Sequence, residues 1–238
     1  VENNTFTGRT DAQGYVSDCN SNSRCVFRHN TITAPMKIDG HGLASNSPAR
    51  GVRHMEIYNN LFSFSGANWR AIEIRGGTGR IFNNVSSSAY DTIYISLNDY
   101  CYIDGSNYSN CDSECKCADD RPVIDQIGVG IDPKSAASEP LYIWNNIRNG
   151  IAWTAGHSAI TEACVSACGA WSQAEAIISG TDYFISETKP AAMSAYTPYT
   201  CPHPLTGLTG SCDSAVAGTA GYNVTIGQVT GSFGGSLH

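Results

Sequence analysis

Ile57-Tyr58-Asn59-Asn60-Leu61-Phe62 is the stretch that decides the fold, because five segments of the chain follow its apolar-x-Asn-Asn pattern. The other four are Val1-Glu2-Asn3-Asn4-Thr5-Phe6, Phe27-Arg28-His29-Asn30-Thr31-Ile32, Ile81-Phe82-Asn83-Asn84-Val85-Ser86 and Ile143-Trp144-Asn145-Asn146-Ile147-Arg148. The second asparagine falls at positions 4, 30, 60, 84 and 146, in steps of 26, 30, 24 and 62 residues. Steps near 30 suit one turn of a parallel β-helix, and the longest indicates two turns that share an insertion.

Asparagine suits the corner between two strands of such a turn. It tolerates left-handed backbone angles, and its amide can bond locally and to an equivalent asparagine one turn away. We therefore expect a stacked ladder made of Asn4, Asn30, Asn60, Asn84 and Asn146. His29 replaces asparagine in its segment, and we interpret it as a corner residue rather than a ligand.

A second set of segments shows strict alternation of apolar and polar residues, which is the pattern of a half-buried strand. The segments are Met36-Lys37-Ile38-Asp39, Ile72-Glu73-Ile74-Arg75 and Ile93-Tyr94-Ile95-Ser96. Aligned without a bulge, they predict that Met36, Ile72 and Ile93 stack inside, followed by Ile38, Ile74 and Ile95. The outer face would then carry Lys37, Glu73 and Tyr94 in one column and Asp39, Arg75 and Ser96 in the next.

The fold predicted from these patterns is all-β: a right-handed parallel β-helix, or solenoid, over residues 1–187. The 24 glycines and the low charged fraction of 15% favour a turn-rich β protein over a helical one. Residues of about 100–120 interrupt the repeat with clustered cysteines and are predicted to form a disulfide-rich insertion. Residues 188–238 are rich in Pro, Gly, Ser and Thr and should form an extended C-terminal appendage on the outside.

Ten cysteines favour disulfides in an oxidising compartment, and so a secreted or cell-surface protein. The disulfide candidates are Cys19, Cys25, Cys101, Cys111, Cys115, Cys117, Cys164, Cys168, Cys201 and Cys212. Zinc is the alternative, but Cys111, Cys115 and Cys117 lack tandem Cys-x2-Cys spacing, so no metal site is predicted.

Sequons make Asn3, Asn84, Asn107 and Asn223 candidates for N-glycosylation. The chain has no apolar run long enough to span a bilayer, and no signal peptide is recognisable.

The net charge of -7 and the pI near 5.2 argue against nucleic acid as a partner, because binding phosphates needs a surplus of Lys and Arg on one face. An acidic sugar is not excluded by the same numbers. A ligand responds to the field of its own cleft rather than to the charge of the whole protein.

Further motifs follow one another along the chain: Arg75-Gly76-Gly77-Thr78-Gly79, Asp125-Gln126-Ile127-Gly128, Glu139-Pro140-Leu141-Tyr142, Thr181-Asp182-Tyr183-Phe184 and Pro202-His203-Pro204-Leu205. In this order the sequence resembles secreted right-handed β-helix proteins of bacteria, an uncharacterised branch of the pectate-lyase-like fold superfamily. The resemblance implies the fold and a secreted setting, but no activity, because the fold serves several functions. Gly40-His41-Gly42 matches a string of polygalacturonases, yet the aspartate pair and the Arg-Ile-Lys segment of that family are missing.

The most enzyme-like group of residues is Lys37, Asp39, His41, Glu73 and Arg75, which the predicted register places on one outer face. A lyase on acidic polysaccharide could use Lys37 or His41 as the base and Arg75 to stabilise the enolate. Asp39 and Glu73 could alternatively act as the acid and base of a hydrolase. The non-catalytic alternative pairs Lys37 with Glu73 and Asp39 with Arg75 as ion pairs on a solvated sheet. No cofactor is predicted; calcium stays open as an alternative that no motif indicates.

Two further hypotheses need no catalysis. Outward columns of Tyr, Asn and Ser form a regular surface suited to polysaccharide, which favours a carbohydrate-binding or adhesive module. Bare strand edges at the end of a solenoid would instead invite another copy and produce head-to-tail fibres of a structural protein. Carbohydrate binding or cleavage is the leading hypothesis, and self-association is the alternative.

Overall fold

The structure is a computed structural model and describes residues 1–8, 14–42, 51–64, 69–86, 90–95, 127–128, 139–153 and 177–207. Fifteen strands and one short 3-10 helix, Pro204–Thr206, are described in these ranges. The described part of the chain is mostly strand, with parallel sheets and almost no helix, so the all-β prediction is confirmed there.

The strands form three sheets. Sheet 1 contains, in spatial order, β1 (Thr5–Phe6), β4 (Thr31–Ile32), β7 (Leu61–Phe62), β10 (Val85–Ser86), β13 (Ile147–Arg148) and β14 (Ile151–Ala152). Sheet 2 contains β2 (Gly14–Cys19), β5 (Met36–Gly40), β8 (Trp69–Ile74) and β11 (Tyr90–Ile95). Sheet 3 contains β3 (Arg24–Arg28), β6 (His54–Tyr58), β9 (Thr78–Phe82), β12 (Leu141–Trp144) and β15 (Tyr183–Ser186).

Strands β1 to β12 visit sheets 1, 2 and 3 in strict rotation, and each of them except β11 pairs in parallel with the strand three places later in the described chain. Of the described strands, only β14 pairs antiparallel, with β13. The inner faces of the three sheets share one apolar core, because alternate residues of every strand point inward. From sheet 3 this core receives an in-register column of Phe27, Ile57, Ile81 and Ile143.

Four of the five corners lie between a strand of sheet 3 and the following strand of sheet 1, and the first corner, Asn3-Asn4, precedes β1. The two positions of a corner have different roles. The first residue of each pair adopts a left-handed backbone, with φ between 49° and 56° at Asn3, His29, Asn59, Asn83 and Asn145. Asparagine and histidine are enriched in this conformation, which explains how His29 can replace asparagine at its corner.

The second residue of each pair hydrogen-bonds to its equivalent in the next corner. Asn30 Nδ2 donates to Asn60 Oδ1 at 3.0 Å, Asn60 Nδ2 to Asn84 Oδ1 at 3.0 Å, and Asn84 Nδ2 to Asn146 Oδ1 at 2.9 Å. Asn4 Nδ2 reaches Asn30 Oδ1 at 3.4 Å. Each Oδ1 also accepts the backbone N–H of the preceding ladder asparagine, so the five amides form one continuous chain of hydrogen bonds.

The register of sheet 2 differs from the prediction by two residues. Ile38 pairs with Ile72, and Gly40 with Ile74, whereas we expected Met36 opposite Ile72 and Ile38 opposite Ile74. The predicted pairing of β8 with β11 at Ile72 and Ile93 is confirmed. Alternation cannot detect such an error, because a shift of two residues keeps every side chain on its face. The alignment assumed no bulge, and the β5–β8 ladder shows none; the register shifts of the β2–β5 and β8–β11 ladders fall at residues 15–17 and 90–93, outside the aligned segments.

A C-terminal strap, residues 187–207, crosses the outer face of sheet 3. Met193 packs on the aromatic column Tyr58, Phe82 and Trp144, whose rings stack at centroid distances of 4.7 and 4.4 Å. The buried guanidinium of Arg28 donates to the carbonyl oxygens of the strap residues 199 and 200 at 2.5 and 2.7 Å. The predicted appendage therefore lies against the sheets as far as residue 207, and its remaining residues, 208–238, lie outside the described ranges.

Candidate functional site

A column of acidic residues runs along the outer face of sheet 2. Asp18 of β2 pairs with Asp39 of β5, Asp39 with Glu73 of β8, and Glu73 with Tyr94 of β11. Neighbouring strands lie about 4.8 Å apart, so three carboxylates in one column repel one another unless cations neutralise them.

Three cations flank the carboxylates. Lys37 Nζ lies 2.8 Å from Asp39 Oδ2 and also contacts the Glu73 carboxylate. Arg75 binds both oxygens of Asp39, from Nε at 3.1 Å and from a terminal nitrogen at 3.0 Å. Arg70 lies 2.5 Å from Glu73 Oε1 and stacks over the Tyr94 ring at 3.7 Å. The pairs Lys37–Glu73 and Asp39–Arg75 are those of the non-catalytic alternative.

The expectation that these ion pairs are solvated was wrong. Asp39 is 0% exposed and Lys37 only 4%. Burial lowers the pKa of Lys37, but hydrogen bonds to Asp39 and Glu73 and the charges of both carboxylates outweigh burial and raise it above its ordinary value of 10.5. A general base needs a pKa close to the working pH, so these contacts argue against Lys37 as a base.

His41, the other candidate base, lies just beyond the end of β5. Its Nδ1 is 2.8 Å from the carbonyl oxygen of Gly42, and its backbone N–H donates to the carbonyl oxygen of Cys19. Among the described residues, none of its hydrogen bonds reaches the carboxylate column. The structure thus brings together four of the five predicted site residues and gives His41 separate contacts.

The accessible part of the site lies on β2, at the edge of sheet 2. Tyr15 is 50% exposed, and its ring lies over the Lys37 ammonium, 4.5 Å from Nζ to the ring centroid. The side chain of Asp18, on the same strand, is 44% exposed and lies 3.6 Å from a terminal nitrogen of Arg75. Sequence reasoning did not single out Tyr15 or Asp18, because β2 carries no repeat motif.

A second polar cluster, on the outer face of sheet 3, was also missed. Tyr196 of the strap donates to Glu56 Oε2 at 2.5 Å, and its ring lies 4.6 Å from the Arg80 guanidinium carbon. Arg80 in turn contacts His54 Nε2 at 3.1 Å and Glu139 at 2.5 Å. Burial raises the pKa of Glu56, but hydrogen bonds from His54 and Tyr196 outweigh it, so the net shift is downward.

A sequence pattern for this second cluster lies in β6 and β9, the strands that directly precede two of the corners. His54-x-Glu56 precedes one corner motif and Thr78-x-Arg80 precedes the next, at matching distances from Asn60 and Asn84. Extending the alignment three residues upstream of Ile57 and Ile81 would have placed His54 beside Thr78 and Glu56 beside Arg80, as the structure does. Because Tyr196 is 140 residues away from Glu56, it had no such signal.

The other candidate residues have mixed outcomes. The side chain of Asn84, one of the glycosylation candidates, is buried in the asparagine ladder. Asn3 is exposed, whereas Asn107 and Asn223 lie outside the described residues. Cys19 and Cys25 form a disulfide, and Cys201 is also disulfide-bonded. The remaining seven cysteines lie outside the described residues: Cys101, Cys111, Cys115, Cys117, Cys164, Cys168 and Cys212.

Neither a metal site nor a membrane helix is found in the described part of the chain. There, no group of three or more His, Cys, Asp or Glu residues is arranged to hold a metal ion. The same ranges contain no helix of the length and apolarity that crossing a bilayer requires.

Comparison of the chain with protein-family models, with curated proteins and with solved structures found no match.

Proposed function

We propose that the three sheets are the walls of a right-handed parallel β-helix and that this β-helix binds carbohydrate on the outer face of sheet 2. The rotation of the strands through the three sheets supports this architecture, as does the ladder joining Asn4, Asn30, Asn60, Asn84 and Asn146. The proposal sets the protein outside the cell or at its surface, in agreement with the disulfide between Cys19 and Cys25.

The observation that carries the binding proposal is the half-exposed ring of Tyr15 next to Asp18. The apolar C–H face of a sugar packs well on an aromatic ring, and a carboxylate accepts hydrogen bonds from the sugar hydroxyls. One face of Tyr15 is directed at Lys37 Nζ, so the accessible area is the opposite face and the ring edge. This contact also limits the movement of the ring, which lowers the entropic cost of binding.

We propose binding without cleavage. A base must be able to accept a proton in the working pH range, but Lys37 is a buried ammonium held by two carboxylates. Arg75 is similarly held by Asp39, whose carboxylate already neutralises the positive charge that an enolate would need. Removing Arg75 from Asp39 would leave a buried carboxylate with one cation fewer, which is costly.

The proposal is tested by retention of the protein in affinity gels that contain polysaccharide, with Tyr15→Ala as the variant. Tyr199→Ala is the matched control, because Tyr199 is similarly exposed but lies on the strap. Retention of the wild type and of Tyr199→Ala, loss of retention in Tyr15→Ala, and no release of reducing ends or unsaturated products are expected. Equal retention of all three proteins would contradict the proposed site, and product release would contradict binding without cleavage.

End-to-end self-association is the second candidate, and the sheet edges favour it. Strands β1, β2 and β3 each lie at the edge of their sheet in the described part of the chain, where residues 1–2 cover only part of β3, through Val1 and the bridge between Glu2 and Arg28. Open edges of parallel strands can pair with another chain. Light scattering over a range of concentrations tests this candidate: growth of the mass with concentration supports fibres, and a constant monomer mass contradicts them.

A further inference from the structure

We infer that the glycan bound at Tyr15 and Asp18 is a neutral, hydroxyl-rich chain rather than a polymer of acidic sugars. The inference rests on the proposed function and narrows its ligand class. We expected an acidic polysaccharide from the sequence, but the distribution of charge on the outer face of sheet 2 favours a neutral one.

The positive charges of this face are matched by carboxylates. Lys37 contacts Asp39 and Glu73, Arg70 contacts Glu73, and Arg75 contacts Asp39 and Asp18. Among the described residues, these three cations therefore contact three carboxylates, and the six charges sum to zero. A polyanion is attracted by a surplus of positive potential, which this face does not offer, and the whole chain carries a net charge of -7.

At the exposed edge of the site, on β2, the accessible charged side chain is the carboxylate of Asp18. Asp39 and Glu73 are buried, whereas the carboxylate of Asp18 is about half exposed next to Tyr15. A uronate stacked on Tyr15 would bring its own carboxylate close to Asp18, and like charges at short range repel. Arg75 is already shared between Asp39 and Asp18, so its positive charge is matched before a uronate arrives.

A neutral sugar avoids the repulsion by Asp18. Its hydroxyl groups donate to the Asp18 carboxylate without bringing a charge, and its C–H face packs on Tyr15. The ion pairs beneath the sugar stay intact and hold Tyr15 in place through Lys37. Binding of this kind depends little on ionic strength, because no charge of the ligand is neutralised.

The test is isothermal titration of the full chain with a panel of neutral oligosaccharides, made of glucose, xylose or mannose units, and with oligogalacturonate of equal length. Titrations at low and high salt are compared for the wild type, Tyr15→Ala and Asp18→Ala, with Tyr199→Ala as the control. Both site residues are about half exposed, so we expect the variants to fold, which thermal denaturation verifies.

We expect at least one neutral oligosaccharide to bind with an affinity that salt leaves unchanged and that Tyr15→Ala and Asp18→Ala each reduce about tenfold. Preferential binding of oligogalacturonate, weakened by salt or strengthened in Asp18→Ala, would overturn this inference but leave the proposed function intact. Neutral binding that neither substitution changes would overturn the location of the site. Failure of every oligosaccharide to bind would overturn the proposed function itself.

Discussion

Replacing Asn60 by alanine tests the asparagine ladder at its most enclosed position. Asn60 is 0% exposed, and its Nδ2 lies within 3.1 Å of Asn84 Oδ1 and the carbonyl oxygens of Phe27 and Tyr58. Its Oδ1 accepts both the backbone N–H and the side-chain amide of Asn30. Asn60→Ala therefore removes hydrogen bonds on both sides of one rung and leaves the Asn30 backbone N–H buried without an acceptor.

A buried donor without a partner costs about 1–3 kcal/mol, and each further hydrogen bond lost costs about 0.5–1.5 kcal/mol. We therefore expect Asn60→Ala to lower the free energy of unfolding by about 3 kcal/mol or more. Asn4→Ala is the matched control, because Asn4 is the exposed end of the ladder and its side chain reaches Asn30 only at 3.4 Å. Its expected cost is below about 1 kcal/mol.

The assay is chemical denaturation of the disulfide-intact protein, monitored by tyrosine and tryptophan fluorescence and extrapolated linearly to water. Both variants lose the same chemical group, a side-chain amide. The difference between their unfolding free energies therefore reports the position of the amide in the ladder. If Asn60→Ala cost no more than Asn4→Ala, the ladder would not stabilise the fold and this reasoning would be refuted.

Three further predictions concern the polar clusters. Asp39→Asn should lower the free energy of unfolding by about 3–5 kcal/mol, because it removes the negative charge that neutralises buried cations. Asp18→Asn, in the same column but exposed, should lower it by less than about 1 kcal/mol. Equal costs would contradict the difference in burial between the two carboxylates. The pKa of Glu56 is lowered from 4.5 in the folded protein, so its stabilisation is complete above 4.5 and is lost as the pH falls through the lowered value. Glu56→Gln should therefore flatten the acid side of the stability profile, and an unchanged profile would contradict the shift. Tyr196→Phe should speed proteolysis within the strap by removing the hydrogen bond to Glu56, whereas Tyr199→Phe should not, and equal rates would exclude this anchor.

The corners and the parallel pairing of sheets 1 and 3 could be predicted from the sequence because they depend on local chemistry. Each corner needs one residue that tolerates a left-handed backbone and one amide that can bond along the stack, and Asn59-Asn60 supplies both. Since the motif repeats without gaps, aligning it also aligns the strands that flank it. Ile57 therefore lies opposite Ile81, as the alignment of the two motifs requires.

The register of sheet 2 could not be chosen by the same reasoning. Its strands alternate with a period of two residues, and Glu73 remains on the outer face whether it pairs with Lys37 or with Asp39. The observed register places Gly40 in the inner column, where a Cβ would lie 3.1 Å from Val52 Cγ1 and 3.2 Å from Met55 Cγ. This packing between sheets is a tertiary constraint that the pattern within one strand does not contain.

The burial of the ion pairs on sheet 2 was the second feature that could not be predicted from the sequence. Alternation identifies which side chains leave the core, but not whether other parts of the protein cover them afterwards. Asp39 points away from the apolar interior and is nonetheless completely buried. The ion pairs were predicted with the correct partners, whereas their environment, and with it the raised pKa of Lys37, depended on the tertiary structure.

The most direct test of the stacked architecture is an NMR measurement of scalar couplings across hydrogen bonds in the isotope-labelled protein. The account predicts that the backbone amides of Asn30, Asn60 and Asn84 couple to the side-chain carbonyl carbons of Asn60, Asn84 and Asn146, respectively. These couplings connect residues 24 to 62 positions apart and arise only if successive corners lie directly above one another. Amides that exchange rapidly with water, or that couple only to carbonyl carbons close in sequence, would contradict it.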